Sequence, residues 1–164
     1  ISTQNAIAFP NPVSKQQTET GCAIGGGSLM TLGTMVYSII PAIADLNETH
    51  LLNPAWSEHA RLHSAWFLAF TAAMAFMSLF ILWKRDQLLL PSVVGLSFAG
   101  GFWVAVLTAP FYCGALVDKN GIETVVFSLD ANVVTFSVLA TIFLCALTYA
   151  LRAEQVTAGR CSDG

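Results

Sequence analysis

Residues 63–83 read HSAWFLAFTAAMAFMSLFILW, a stretch that contains no Asp, Glu, Lys or Arg. An α-helix rises 1.5 Å per residue, so a helix of this length covers roughly the 30 Å of hydrocarbon in a bilayer. Lipid offers no hydrogen-bond partners to the backbone, which must therefore bond internally, as a helix does. The stretch predicts a membrane-spanning helix.

Three further apolar stretches, at about residues 22–46, 88–117 and 132–151, have comparable lengths. Over the 164 residues, 55% are hydrophobic and only 10% are charged, whereas soluble proteins carry about 25% charged residues. So few charges cannot cover the surface of a soluble domain of this size. We predict an all-α, integral membrane four-helix bundle at 22–152, between a polar N-terminal segment at 1–21 and a polar tail at 153–164.

The basic residues indicate how such a bundle would be oriented. Most fall on one side of the four predicted helices, namely Lys15, Lys84, Arg85, Arg152 and Arg160, whereas Arg61 and Lys119 fall on the other. Positive charge favours the cytoplasmic side, or the matrix or stroma of an organelle. Both termini are therefore predicted on the basic side, and the opposite side is called outer below.

The segment at 53–63, Asn-Pro-Ala-Trp-Ser-Glu-His-Ala-Arg-Leu-His, carries the clearest local pattern. Asn53 followed by Pro54 is typical of a helix start, which predicts that helix 2 begins there. On such a helix, spacings of three and four residues place several aromatic and imidazole side chains on one face. These are Trp56, His59, His63, Trp66 and Phe70.

This face suggests a polar pocket at the outer end of the bundle. His59 and His63 could act together on one substrate, with His as proton carrier. The candidate catalytic residues are His59, His63, Asp45 and Asp130, and the predicted pocket walls are Trp56, Trp66 and Glu48. The alternative is interfacial, because His and Trp are favoured where helices leave the membrane. Two histidines underdetermine a metal site, so no metal is predicted, and no cofactor is indicated.

The same segment resembles one in small, uncharacterised four-helix membrane proteins that share an N-P-x-W-x-x-H-A-R-x-H pattern. The resemblance covers these eleven residues and the four-helix layout. It implies a four-helix fold and a membrane location, and it implies no activity.

Small residues predict where helices approach one another. Gly25, Gly26, Gly27 and Gly33, with Gly100 and Gly101, lack the strand and the Lys-Ser/Thr of a phosphate-binding loop. They suit close helix contacts instead, and Gly26 and Gly101 in particular are expected to face another helix. The four cysteines include no C-x-x-C pair and are expected to be free and buried.

Two functions follow from these patterns. The first is an accessory subunit of a larger, bioenergetic membrane complex, which fits a chain that starts at Ile1 and lacks deep charges in helices 3 and 4. The second is a small membrane enzyme, such as an isomerase or cyclase, acting on a lipophilic substrate at the outer pocket. The expected partners are membrane lipids and other membrane subunits. An organelle inner membrane is favoured over a bacterial one. Without clustered Lys/Arg, nucleic acid is not expected as a partner.

Overall fold

A computed structural model of the chain describes residues 12–48, 50–117, 125–126 and 128–162, with side chains described from Gly26 to Gln155 except Glu154. Four helices dominate: α1 (Pro12–Asp45), α2 (Glu58–Lys84), α3 (Leu89–Thr108) and α4 (Ala131–Ser162). A 3-10 turn follows α3 at Ala109–Phe111. Two short antiparallel strands, β1 (Val125–Val126) and β2 (Leu129–Asp130), precede α4. The all-α prediction is confirmed.

Each helix contains a segment that is long and apolar enough to cross a membrane. These segments are Gly26–Asp45, Glu58–Lys84, Leu89–Phe111 and Ala131–Ala153. The helices themselves extend further than predicted at both ends of the chain. Helix α1 already begins at Pro12, within the segment predicted as polar, and α4 continues through the predicted tail to Ser162. Residues 1–11 lie outside the described part.

The start of α2 differs from the prediction. The N-cap is Ser57, whose Oγ accepts a hydrogen bond from the Ala60 N–H at 3.2 Å. Asn53 instead closes a local turn, because its Oδ1 accepts from the Ala55 N–H at 2.9 Å. Asn side chains that bond to nearby backbone in this way compete with helix formation. The prediction that α2 begins at Asn53-Pro54 was therefore wrong, and Trp56 is not part of the helix.

Side-chain contacts give the order of α1 and α2. Near the start of the α1 span, Trp83 Nε1 donates a hydrogen bond to Thr31 Oγ1 at 2.9 Å. Further along α1, Ala42 lines the same shallow surface groove as Ala72. As the α1 numbers rise the α2 numbers fall, so the two helices are antiparallel.

Helix α3 runs parallel to α1, and α4 runs antiparallel to α3. Tyr37 of α1 packs against Phe98 of α3 with ring centroids 4.9 Å apart. Ser92 of α3 lies against Met30 of α1, nearer the start of both helices. Phe102 of α3 stacks on Phe136 of α4 at 4.0 Å, whereas Gly95 of α3 lies against Phe143 of α4, so these two helices run in opposite directions. Together with the contacts between α1 and α2, this order produces an up-and-down bundle.

Phe143 of α4 fills the centre of the bundle and is fully buried. A Cβ atom added to Gly95 would overlap its ring, and one added to Gly33 would lie 3.1 Å from it. Only glycine lets α1 and α3 approach this ring so closely. The residues buried around it are Met30, Tyr37, Ala75, Leu82, Ala99 and Leu139.

Three other glycines do not mediate close helix contacts. A Cβ atom at Gly26, Gly100 or Gly101 would meet nothing within 4 Å. The prediction that Gly26 and Gly101 face another helix was wrong, since the close contacts occur at Gly33 and Gly95. Of the other glycines predicted to make close helix contacts, Gly27 and Gly33 do so, since an added Cβ would lie 3.6 Å from Trp83 and 3.1 Å from Phe143, respectively.

The surface that the helices turn away from the core of the bundle is apolar. Large hydrophobic side chains such as Ile43, Phe76 and Leu107 are more than two-thirds exposed. Cys113 and Cys145 are free, but both are exposed, so the prediction of burial was wrong for these two. The side chains of Cys22 and Cys161 lie outside the described part.

Candidate ligand-binding cavity

A cavity of about 690 Å³ lies between the four helices. This volume falls within the range of about 300–1,000 Å³ that is usual for small-molecule sites. Every helix contributes to its wall, with Tyr37, Pro41 and Asp45 from α1, Phe67, Phe70 and Thr71 from α2, Ser97, Phe98, Gly101, Phe102 and Ala105 from α3, and Asn132 and Phe136 from α4. The cavity occupies the end of the bundle where α1 and α3 end and α2 and α4 begin.

Aromatic rings form much of the wall. The ring of Phe98 lies 4.9 Å from Tyr37, 5.9 Å from Phe67 and 5.8 Å from Phe136, measured between centroids. Phe136 in turn stacks on Phe102 at 4.0 Å and an interplanar angle of 8°. These rings fix one another in place, because offset-stacked and tilted pairs at such distances attract. The wall is therefore apolar and preformed.

Small residues and a proline explain why space remains here. Ser97, Gly101 and Ala105 recur every four residues along α3, so they lie in one row on its surface. All three line the cavity. Pro41, which lies inside α1, has no N–H to bond the carbonyl one turn earlier. The small row leaves volume unfilled, and the proline weakens α1 beside it.

One carboxylate belongs to this cavity. Asp45 ends α1 and is half-buried, and among the described residues that line the cavity it is the only charged one. His50, in the loop that follows, lies near enough to interact with it electrostatically. Asn132, in the first turn of α4, supplies a neutral amide to the same wall.

Two residues in the cavity wall carry buried hydroxyls. Tyr37 is 1% exposed and Thr71 is 2% exposed, and the hydroxyl of neither has a hydrogen-bond partner of good geometry among the described residues. The hydroxyls of Thr34 and Ser78 lie close to that of Tyr37 without completing such a bond. Buried hydroxyls are normally hydrogen-bonded. Both hydroxyl oxygens are themselves buried, so they lie behind the cavity wall and do not open into it.

The two predicted catalytic histidines lie elsewhere. His59 and His63 are exposed in the first two turns of α2, and their Nε2 atoms are 3.0 Å apart. Their rings are nearly perpendicular, at 86°. Trp66 lies beside His63, with ring centroids 6.1 Å apart. None of the three lines the cavity, so the pair forms a separate surface feature of α2.

The remaining predicted residues are also dispersed. Trp56 packs edge-on against His50, with ring centroids 5.7 Å apart, and Glu48 is exposed. Asp130 caps α4, because its Oδ1 accepts from the Asn132 N–H at 2.8 Å and the Val133 N–H at 3.2 Å. Neither Trp56 nor Glu48 nor Asp130 lines the cavity. Of the candidates from the sequence, the structure places Asp45 in the cavity wall.

The described residues include no group of three His, Cys, Asp or Glu side chains that could hold a metal ion. His59 and His63 are close enough to bind one ion as a pair, but two imidazoles leave at least two positions of a tetrahedral site unfilled. The described part of the chain thus supplies a chelating pair and not a complete metal centre.

The aromatic wall was not predicted from the sequence. Phe98 and Phe102 are four residues apart, and the small row of Ser97, Gly101 and Ala105 runs beside them on α3. A row of small residues next to a row of large rings was a visible signal of unfilled space. It was overlooked because glycine was interpreted only as a contact residue.

Comparison with known proteins gives a family and little else. No curated protein matches the chain, and no solved structure matches it. A family described as a family of unknown function, DUF6640, matches residues 29–161. The match runs from the apolar part of α1 almost to the end of α4, and it includes every residue that lines the cavity. The chain belongs to the DUF6640 family.

Proposed function

We propose that the chain is an integral membrane protein that binds a lipophilic small molecule in the cavity between its four helices. The observation that carries the proposal is the cavity itself, with a preformed aromatic wall and a few polar groups. Sites for small molecules generally combine an apolar lining with a small number of placed polar atoms.

Membrane insertion is supported by the spans and by what surrounds them. The four apolar segments are 20 to 27 residues long, which suits a hydrocarbon core of about 30 Å. Only 17–28% of the residues in these segments are buried within the chain. The remaining apolar surface would then face lipid or other subunits. The up-and-down order, with the Lys/Arg distribution, favours both termini on the basic side.

Cysteine labelling tests insertion and orientation. In a variant that keeps only Cys113, a membrane-impermeant maleimide should label the protein from the outer side, since this residue follows the 3-10 turn after α3. A second variant, with Gln87→Cys as its only cysteine, should be labelled from the opposite side, because Gln87 lies between α2 and α3. Labelling of both from one side would refute the topology. Lys15, Asn120 and Ser162 are other reporter positions, but their side chains lie outside the described part.

Binding is tested with protein purified in a neutral maltoside detergent. Native mass spectrometry should detect decanol bound saturably, as one molecule per chain. Ala105→Phe should block this binding because Ala105 lines the cavity. The matched control is Ala72→Phe, which adds the same ring in the surface groove between α1 and α2. Binding that never saturates, or that both variants reduce equally, would refute the cavity as the site.

An enzyme remains a more specific form of this proposal. Because His59 and His63 do not line the cavity, an isomerase or cyclase acting there would need Asp45 to carry the proton. The accessory-subunit hypothesis stays a separate prediction. Blue-native electrophoresis of the membrane from the source cell distinguishes the two, since a subunit migrates with a large complex and a self-contained binding protein does not.

A further inference from the structure

We infer that the ligand of this cavity is a lipophilic amine, protonated at neutral pH, whose ammonium group pairs with Asp45. The inference rests on the proposed function and specifies the chemical class of the molecule bound. It is carried by the position of one carboxylate among aromatic rings and by the electrostatics at the end of α1.

The cavity wall combines one carboxylate with aromatic faces. Asp45 is the charged lining residue, and Phe67 and Phe70 line the same cavity from α2. A carboxylate beside apolar surface is costly unless an opposite charge or hydrogen bonds compensate it. An ammonium group compensates the carboxylate and is also attracted to the faces of aromatic rings. A carboxylic acid or a phosphate would instead meet a like charge.

The helix dipoles of α1 and α4 also favour a positively charged ligand. Asp45 is the last residue of α1, where the helix dipole places partial negative charge. The opposite dipole end, at the start of α4, is occupied by Asp130, whose carboxylate accepts two backbone N–H groups. The positive end of α4 is thus already neutralised within the protein, whereas the negative end of α1 coincides with the carboxylate of Asp45.

His50 is the other group that acts on Asp45 electrostatically. It belongs to the loop after α1 and packs against Trp56, and it does not line the cavity. An ammonium inside the cavity would therefore approach Asp45 from a different direction than His50. The cavity side of the carboxylate is the side that the ligand would use.

The length of the cavity extends the description of the ligand. Tyr37 and Asp45, which both line the cavity, lie roughly 12 Å apart along α1, at about 1.5 Å per residue. A molecule with an ammonium at Asp45 and an apolar body would fill the length between these residues.

Three probes of equal chain length test the charge. Decylamine, decanol and decanoate carry a cation, a neutral group and an anion, and an alkylamine is protonated at neutral pH as the Lys side chain is. Purified protein in maltoside micelles should bind decylamine about ten-fold more tightly than decanol, with decanoate weakest. The measurement is the dissociation constant, from ligand-dependent shifts of Tm and from native mass spectrometry.

A matched pair of variants locates the effect. Asp45→Asn should remove the preference for decylamine over decanol. Asp130→Asn makes the same change of charge at the same end of the bundle, outside the cavity. It keeps a good helix cap, so the preference should persist.

The outcomes separate the two proposals. If no probe binds saturably to the wild-type protein, the proposed function fails. If decanol or decanoate binds as tightly as decylamine, the cavity remains a binding site but the amine inference is overturned. The inference is also overturned if Asp45→Asn keeps the preference, or if Asp130→Asn loses it. The comparison of probes on wild-type protein needs no variant, so it decides the question even if Asp45→Asn does not fold.

Discussion

Gly95 and Gly101 lie on the same helix, α3, yet their surroundings differ completely. A Cβ atom at Gly95 would overlap the ring of Phe143, whereas one at Gly101 would meet nothing within 4 Å. The space beside Gly95 is filled by the Phe143 ring from α4, whereas Gly101 lines the cavity. A small residue therefore creates close packing only where a neighbouring helix supplies a large side chain. Where none is supplied, it leaves space unfilled.

The two ends of the bundle follow this rule. The Phe143 layer, formed by Gly33, Gly95 and Phe143, is closed and fully packed. The cavity end, formed by the residues that line the cavity, keeps about 690 Å³ unfilled although it contains more aromatic rings. Packing density here depends on which rows of side chains face one another, and not on how much aromatic volume is present. The predictions below separate the two ends.

The largest expected effect is at the Phe143 layer. Phe143→Ala should lower the free energy of unfolding by about 3–5 kcal/mol, because it empties a fully enclosed site. Phe70→Ala, at the cavity end, removes the same ring from a side chain that is 53% exposed, so the loss should be much smaller. Titration of SDS into maltoside micelles, followed by circular dichroism, measures both. Equal losses would show that the two ends do not differ in packing.

The next effect is a single added methyl group at Gly95. Gly95→Ala should destabilise by about 1–3 kcal/mol, because the new Cβ overlaps the Phe143 ring and that ring is fully buried. Gly100→Ala is the control, since its Cβ meets nothing within 4 Å. It should be neutral or slightly stabilising because Ala is the better helix former. Phe143→Leu should partly rescue Gly95→Ala, and the absence of any rescue would show that the overlap is not the cause.

A smaller effect is expected at the start of α2. Ser57→Ala removes the cap on the Ala60 N–H and should cost about 1 kcal/mol. Ser64→Ala is the control, because Ser64 Oγ bonds to the Ala60 carbonyl within the helix, a bond that adds little. Thermal unfolding of both variants in the same detergent checks this. If Ser57→Ala proves no more destabilising than Ser64→Ala, the helix does not depend on this cap.

The sequence predicted where the helices lie along the chain better than how each helix is rotated about its axis. Runs such as 63–83 predicted α2 because lipid and helix length constrain the backbone without reference to neighbours. The start of α2 was placed too early because Asn53 and Ser57 are both good cap residues. Only the local turn between Asn53 and Ala55 decides which of the two caps the helix.

The candidate site was harder to predict for a related reason. His59 and His63 share a face of α2 as their spacing requires, but spacing does not say where that face points in the bundle. Asp45 was placed correctly at the end of α1. Its position in a cavity depends on Gly101, Phe102 and Phe136, on two other helices, and a single sequence does not show which rows of side chains face each other.

The smallest change in stability, and the sharpest test of the comparison, is Gly101→Leu. Space for the new side chain exists, because an added Cβ meets nothing within 4 Å and the position lines the cavity. Replacing a helical glycine should itself gain up to about 1 kcal/mol. The unfolding free energy should therefore stay the same or rise slightly, while the dissociation constant for decanol and decylamine should increase because the leucine occupies the site.

Gly100→Leu is the control, since Gly100 has equal space but does not line the cavity, and it should leave binding unchanged. A protein that loses binding while keeping its stability shows that the open glycine serves the ligand. If Gly101→Leu instead destabilises the bundle as strongly as Gly95→Ala, the cavity end is packed as tightly as the Phe143 layer and the contrast between the two glycines does not hold.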